Sequence, residues 1–159
     1  MLRYVYGQDE VVAQFVARVS PNEALRERGF GKNTAMGVID GDGKLIGGVV
    51  YHDWQPHVGT IMISAAGLPT RNWFTRDTLD QMCGYAFDRC ECQMVISAIP
   101  DTKLFEGLLL LFAAVGYTRV RVARLYGREC DGIIATLTQE QWAESRFNRD
   151  RHKQQKEAA

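Results

Sequence analysis

The chain has 159 residues, 46% hydrophobic and 24% charged, with 19 basic and 19 acidic side chains and no formal net charge. That length and composition fit one folded domain with a sizeable core. They exclude a disordered chain, which combines low hydrophobicity with high net charge. Global neutrality gives no overall attraction to nucleic acid or an anionic membrane, so only a local concentration of charge can point to a polyanionic partner.

Residues 1–10 contain no apolar signal core. The longest apolar run, residues 108–115, falls far short of the ~18 residues of a membrane span. Cys83, Cys90, Cys92 and Cys130 form no C-x-x-C pair, and the three histidines are scattered, so zinc-finger spacing is not met. The expectation is a cytoplasmic protein with reduced thiols, no metal and no membrane contact.

In chain order, residues 2–6 read as a short strand. Residues 8–20 place Val11, Val12, Phe15, Val16 and Val19 at helical spacing, ended by Ser20-Pro21. Residues 21–28 read as a second short helix closed by Gly29. Residues 34–39 and 45–51 read as a hairpin about Asp40-Gly41-Asp42-Gly43, whose D-G pairs supply positive φ. Residues 59–66 make a third consecutive strand. From Arg76 the period changes: Leu79, Met82, Cys83, Ala86, Phe87 and Cys90 share one helical stripe, with Thr75 as N-cap.

Residues 92–99, nearly all apolar and ended by Pro100, read as a buried strand. Residues 102–115 are apolar almost all round, which predicts a buried helix capped by Gly116. Residues 118–126 and 131–137 form a final hairpin through Gly127-Arg128-Glu129, and a helix starts near Thr138. The order β-α-α-β-β-β-α-β-α-β-β predicts a mixed α/β sheet, mostly antiparallel, with a central β-α-β crossover and flanking helices. Residues 1–143 are expected as one domain and 144–159 as a basic helical tail.

That element order, with the segments 59–90 and 92–117 and the ending Leu108-Leu-Leu-Leu-Phe-Ala-Ala-Val-Gly116-Tyr117, resembles the GNAT superfamily of acyl-CoA-dependent N-acyltransferases. Within it the chain looks most like small phage- and prophage-encoded members, whose relatives include Mom-type DNA modification proteins. The resemblance implies an N-acetyltransferase that uses acetyl-CoA and an unidentified acceptor amine. It leaves two alternatives: a Mom-like DNA base-modifying enzyme, and a non-catalytic binding module on the same fold.

A strand ending at Ala66-Gly67 and the free N–H groups of a helix entered at Thr75 make an anion site. In the family a Q/R-x-x-G-x-G/A loop wraps the CoA pyrophosphate there; this chain reads Arg71-Asn72-Trp73-Phe74-Thr75-Arg76. Arg71 matches the first position, whereas Phe74 and Arg76 stand where glycines are expected. Either CoA binds in a modified way, with Ala66, Arg71, Trp73, Phe74, Thr75 and Arg76 lining its site, or it no longer binds. Arg71 and Arg76 offer charge-assisted contacts to phosphate.

Amide-forming transfer needs a base for the amine and an acid for the leaving thiolate. The family's usual glutamate is not on the strand at 59–66, where Ser64 is the only polar inward residue. The base must come from the stretch containing His52 and Asp53, from His57, or from a water held by Ser64 and Ser97. His52, Asp53 and Ser64 are the catalytic candidates. The family's acid, a tyrosine four residues before the Gly–aromatic pair, is replaced by Phe112.

Residues 146–156 hold Arg146, Arg149, Arg151, Lys153 and Lys156 against Asp150 alone, and Arg119 and Arg121 add a basic stripe on one strand. If DNA is a partner, these are its phosphate contacts. The edge left by the final hairpin makes a homodimer reasonable.

Overall fold

The computed structural model describes residues 1–148; Arg149, Arg151 and Lys153 of the expected basic tail lie outside the described residues. The elements are β1 (Arg3–Val5), α1 (Asp9–Val19), α2 (Ala24–Arg28), β2 (Asn33–Ile39), β3 (Leu45–Gln55), β4 (Thr60–Gly67), α3 (Arg76–Gly84), β5 (Met94–Pro100), α4 (Glu106–Val115), β6 (Thr118–Val122), β7 (Gly132–Thr138) and α5 (Gln139–Glu144). They build a seven-stranded sheet in the order β1-β2-β3-β4-β5-β7-β6. Every neighbouring pair is antiparallel except β4 and β5, which α3 joins as a parallel crossover. This is the mixed, mostly antiparallel sheet that the alternating and helical patterns predict.

Two apolar layers cover the sheet. On one face Val12, Phe15 and Val16 of α1 pack on Ala35, Val50 and Ala66. Val16 is fully buried, which by area is worth about 1.5–3 kcal/mol. On the other face Leu79, Met82, Cys83, Phe112, Val115 and Trp142 pack on Met36, Val49, Tyr51, Ile61 and Ile63. The alternation of odd and even residues along β3 sorts its side chains between these layers.

Three glycines let the layers approach the sheet closely. Gly47 of β3 lies opposite Gly67 of β4, and the Trp73 indole rests on the pair: a Cβ on either would come within 2.4 or 2.2 Å of its ring atoms. On the opposite face a Cβ at Gly48 would meet Val16 and Val12 at 2.7 and 2.8 Å. The Gly47-Gly48 dipeptide thus admits Trp73 from one side and α1 from the other.

Several expected boundaries shift. The stripe from Arg76 to Cys90 is not one α-helix; after Gly84 it loosens into a π-helical turn at Tyr85–Arg89. Residues 102–115 are not a buried helix throughout: a 3-10 turn at Lys103–Phe105 precedes α4, and Leu104 and Leu110 are 74% and 70% exposed. The sheet offers α4 only one side, so only Phe112 and Val115 of that helix are buried. The strand expected over 118–126 ends at Val122, because Arg124 adopts φ +63° and turns the chain. The strand expected over 45–51 instead continues to Gln55, which places His52 and Asp53 within β3 rather than at its end. No helix among the described residues is long and apolar enough to cross a membrane.

Candidate active site

β4 keeps its ladder with β3 as far as Gly67 but pairs with β5 only at Thr60–Met94, Ile61–Val95 and Met62–Ile96. Beyond that point the two parallel strands diverge, and Ser97 Oγ bridges the start of the split by donating to the Ile63 carbonyl at 2.9 Å. The split leaves one edge of β4 without a strand partner. A cavity of about 230 Å³ opens there. It lies past the carboxyl ends of two parallel strands, where sheets of this kind place ligands. Leu79, Phe105 and Leu108 border it on the α3/α4 face of the sheet, and Ser20, Leu25 and His52 border it on the α1/α2 face.

His52 and Ser64 reach that cavity by sheet geometry. His52 lies opposite Met62, so Ser64, two residues on, projects from the same face as a diagonal neighbour. His52 Nε2 stands 3.0 Å from Ser64 Oγ. The β3–β4 register then slips between His52 and Gln55, and Asp53 takes φ +50° in the slip. Aspartate tolerates this left-handed region better than most residues. The bulge brings Asp53 Oδ2 to 2.6 Å from Nδ1 of its own neighbour, His52. An ionised carboxylate only accepts, so Nδ1 carries the proton. In the neutral ring Nε2 is then left with a lone pair directed at the Ser64 hydroxyl. The Phe30 ring, 5.3 Å away, flanks the imidazole, whose side chain is 11% exposed.

The three catalytic candidates therefore form one hydrogen-bonded chain, Asp53–His52–Ser64, at the cavity wall. The alternative base His57 lies on the exposed turn after β3 and does not border the cavity. Phe112 does border it, with the Tyr117 ring tilted against it at 4.5 Å between centroids. Two more residues join them: Arg28 of α2, not singled out from sequence, and Tyr126 of the β6–β7 connection, a phenol with no matching place in the family's pattern. Burial pushes the Tyr117 hydroxyl well above the usual tyrosine range. It also raises Tyr126, against the lowering pull of the Arg28 charge. Both phenols are proton donors at neutral pH. Nothing local in the sequence links Arg28 or Tyr126 to β4; only packing brings them to the same cavity.

The loop between β4 and α3 is held by side chains. Arg71 Nη2 donates to the buried Asp40 at 2.6 Å, which ties the loop to the β2–β3 turn and draws the guanidinium away from the helix entrance. Trp73 lies on Gly47 and Gly67, with Phe74 edge-on to it at 5.2 Å and facing the cavity. The Ala66 side chain is buried against α1, and Ala66 does not border the cavity. Thr75 caps α3 reciprocally: its Oγ1 accepts from Thr78 N, and Thr75 N donates to Thr78 Oγ1. That box satisfies donors that an anion would otherwise use. The Arg76 guanidinium donates to the Arg146 carbonyl at 3.2 Å.

Asp40 also accepts from the backbone N–H of Asp42 and Lys44. The Lys44 amide foremost, then Arg71, holds its carboxyl below the ordinary value of 3.8. A depressed carboxylate stabilises the fold above its unfolded value and loses that contribution as pH falls through the folded one. Asp40→Asn is accordingly expected to lower the melting temperature at pH 7 and to weaken its decline below pH 4. An unchanged acid profile in thermal melts would remove this role from the clasp.

Of the basic residues considered for nucleic acid, Arg119 is exposed on the edge strand β6. Arg121 is held by Asp101 at 2.7 Å and Asp131 at 3.1 Å. The Arg146 guanidinium lies 4.9 Å over the Phe147 ring.

No protein-family model matches the chain, and no curated sequence matches it significantly. Solved structures do. Mutant forms of the spermidine/spermine N-acetyltransferase SpeG from Vibrio cholerae superpose with a TM-score of 0.70 at 12% identity, covering 91% of this chain and 98% of that one. SpeG in complex with manganese ions gives 0.70 at 13% identity, covering 91% and 96%. The dodecameric spermidine N-acetyltransferase of that organism in an intermediate state gives 0.69 at 11%, covering 89% and 95%. At such identities the likeness establishes the fold, which is the GNAT fold that the element order resembles.

Proposed function

We propose that this chain is an acyl-CoA-dependent N-acyltransferase, with acetyl-CoA as donor and His52 as the base acting on the acceptor amine. The observation that carries the reading is the Asp53–His52–Ser64 chain set at the mouth of the split between β4 and β5. Acyl-CoA, when bound, supplies a thioester-activated acyl group. The apolar cavity and the unpaired edge of β4 suit its pantetheine arm, and the Arg76 guanidinium suits its phosphates, since the capping box already engages the Thr75 and Thr78 amides of α3. Asp53 holds the imidazole so that Nε2 can take a proton, and Ser64 Oγ passes that proton from the ammonium to Nε2. The N–C bond then forms as the thioester C–S bond breaks, and the departing thiolate takes the second proton that the nitrogen loses on acylation. The apolar walls exclude water from the amine as it becomes neutral, and positioning then supplies much of the rate.

Binding of acetyl-CoA tests the donor assignment directly. At a hundredfold excess over Kd, stabilisation of about 2.7 kcal/mol is expected, a rise of roughly 5–10 °C in melting temperature. No shift at millimolar acetyl-CoA would sink the reading.

The second reading, a Mom-like DNA-modifying enzyme of phage type, needs free cations, and Arg121 is already neutralised by two carboxylates. That electrostatic fact favours the first. Salt-sensitive DNA binding lost on removal of residues 146–159 would reverse the order. Pairing through the exposed edge of β6 is the homodimer this reading carries.

A further inference from the structure

The charge of the cavity mouth bears on which amine the site accepts. Among the described residues bordering the cavity one is a fixed cation, Arg28, and none is a carboxylate. Arg28 ends α2 and is exposed. Tyr126 borders the same cavity, close enough for the Arg28 charge to act on its hydroxyl. No carboxylate among the described residues pairs with Arg28. Asp9, Glu10 and Glu27 border a separate groove on the far side of α2, which Arg28 also flanks, at more than ion-pair distance. Asp53, the acid nearest the reacting position, is engaged by His52 at 2.6 Å.

A site built for a polycationic amine needs carboxylates to replace the water it strips from each ammonium. This mouth offers the reverse: a guanidinium with an unpaired fork beside Asn22 and Ser20, both of which can donate hydrogen bonds. A guanidinium of this kind matches the paired oxygens of a carboxylate or phosphate. His52 and Ser64 stand on the same face of the sheet as Arg28, so one small molecule can place its amine at the former and its anionic group at the latter.

We infer that the acceptor is a primary amine whose own molecule also carries an anionic oxygen group, a carboxylate or a phosphate, held by Arg28. The inference rests on the acyltransferase reading and narrows its acceptor class. It sets this site apart from one that takes spermidine, whatever the likeness of fold.

The test measures thiol release from acetyl-CoA with four acceptors: phenylalanine, phosphoethanolamine, phenethylamine and spermidine. Melting temperatures with acetyl-CoA alone are recorded beside it. The native protein is expected to favour phenylalanine over phenethylamine, its match without the carboxylate, or phosphoethanolamine over either, by about 10–100-fold in kcat/KM. Which anionic amine leads decides between carboxylate and phosphate. Arg28→Gln is expected to bring the preference to within about threefold while the acetyl-CoA shift in melting temperature persists. Spermidine or phenethylamine leading in the native protein, or a preference that survives Arg28→Gln, overturns the inference and leaves the acyltransferase reading intact. Absence of both the acetyl-CoA shift and any transfer overturns the two together.

Discussion

Replacing His52 with Gln is expected to lower kcat by roughly 10²–10⁴-fold, the range associated with loss of a positioned general base. Thermal melts should move little, because the ring sits at the cavity wall rather than in either core cluster. Asp53→Asn should fall between His52→Gln and native. An amide at that position can donate to Nδ1 and so stabilise the tautomer whose Nε2 bears the proton, leaving no lone pair toward Ser64. Ser64→Ala removes the relay at 3.0 Å but leaves the base, so a smaller loss is expected than for His52. Steady-state rates under saturating acetyl-CoA check the order. Native kcat in His52→Gln would dismiss the histidine as base.

The second large effect is on stability. Trp73→Ala is expected to cost about 3 kcal/mol, the lower end for loss of a packed aromatic since the indole is only half-buried. For a chain of this length that is roughly 6–12 °C in melting temperature. Gly67→Ala should cost about 1–3 kcal/mol for the opposite reason, since its Cβ would stand 2.2 Å from the indole nitrogen. The two changes are coupled. In a Trp73→Ala background the three atoms nearest that Cβ are gone, so Gly67→Ala should cost much less than it does alone. Additive losses in the double variant would show that the indole does not rest on the glycine pair. Either single change frees the loop ahead of α3, so a weaker acetyl-CoA shift should accompany it.

The parts of the fold that follow short-range rules were legible in the chain. The spacing of Val12, Phe15 and Val16 marks α1, and Asp40-Gly41-Asp42-Gly43 marks the hairpin turn, where Gly43 has φ +84°. Thr75 is read as a cap and acts as one, and the helix expected near Thr138 starts there, with Thr138 itself as its cap. Errors arose where a local pattern meets an unshared surface. The leucines of residues 104–111 look like an all-buried helix, but only one side of α4 faces the sheet, so Leu104 and Leu110 stay in contact with solvent. The basic loop shows the same limit: sequence places Arg71 beside a phosphate site, whereas the buried Asp40, remote in the chain, recruits it.

For the candidate site, the sequence by itself determined the chemical inventory: a histidine beside an aspartate, a lone serine on the next strand, a phenylalanine where an acid is usual, and a loop without glycines. Residue type and spacing along a strand decide these, and they are local. Only the tertiary structure decided that His52 and Ser64 share a face, that a bulge turns Asp53 back on its neighbour, and that β4 leaves β5 after Met62. Strand register and the path of a crossover depend on packing between segments far apart in the chain. The placement of Arg28 at the same cavity as His52 and Ser64 has the same origin, and the reading of the acceptor rests on it.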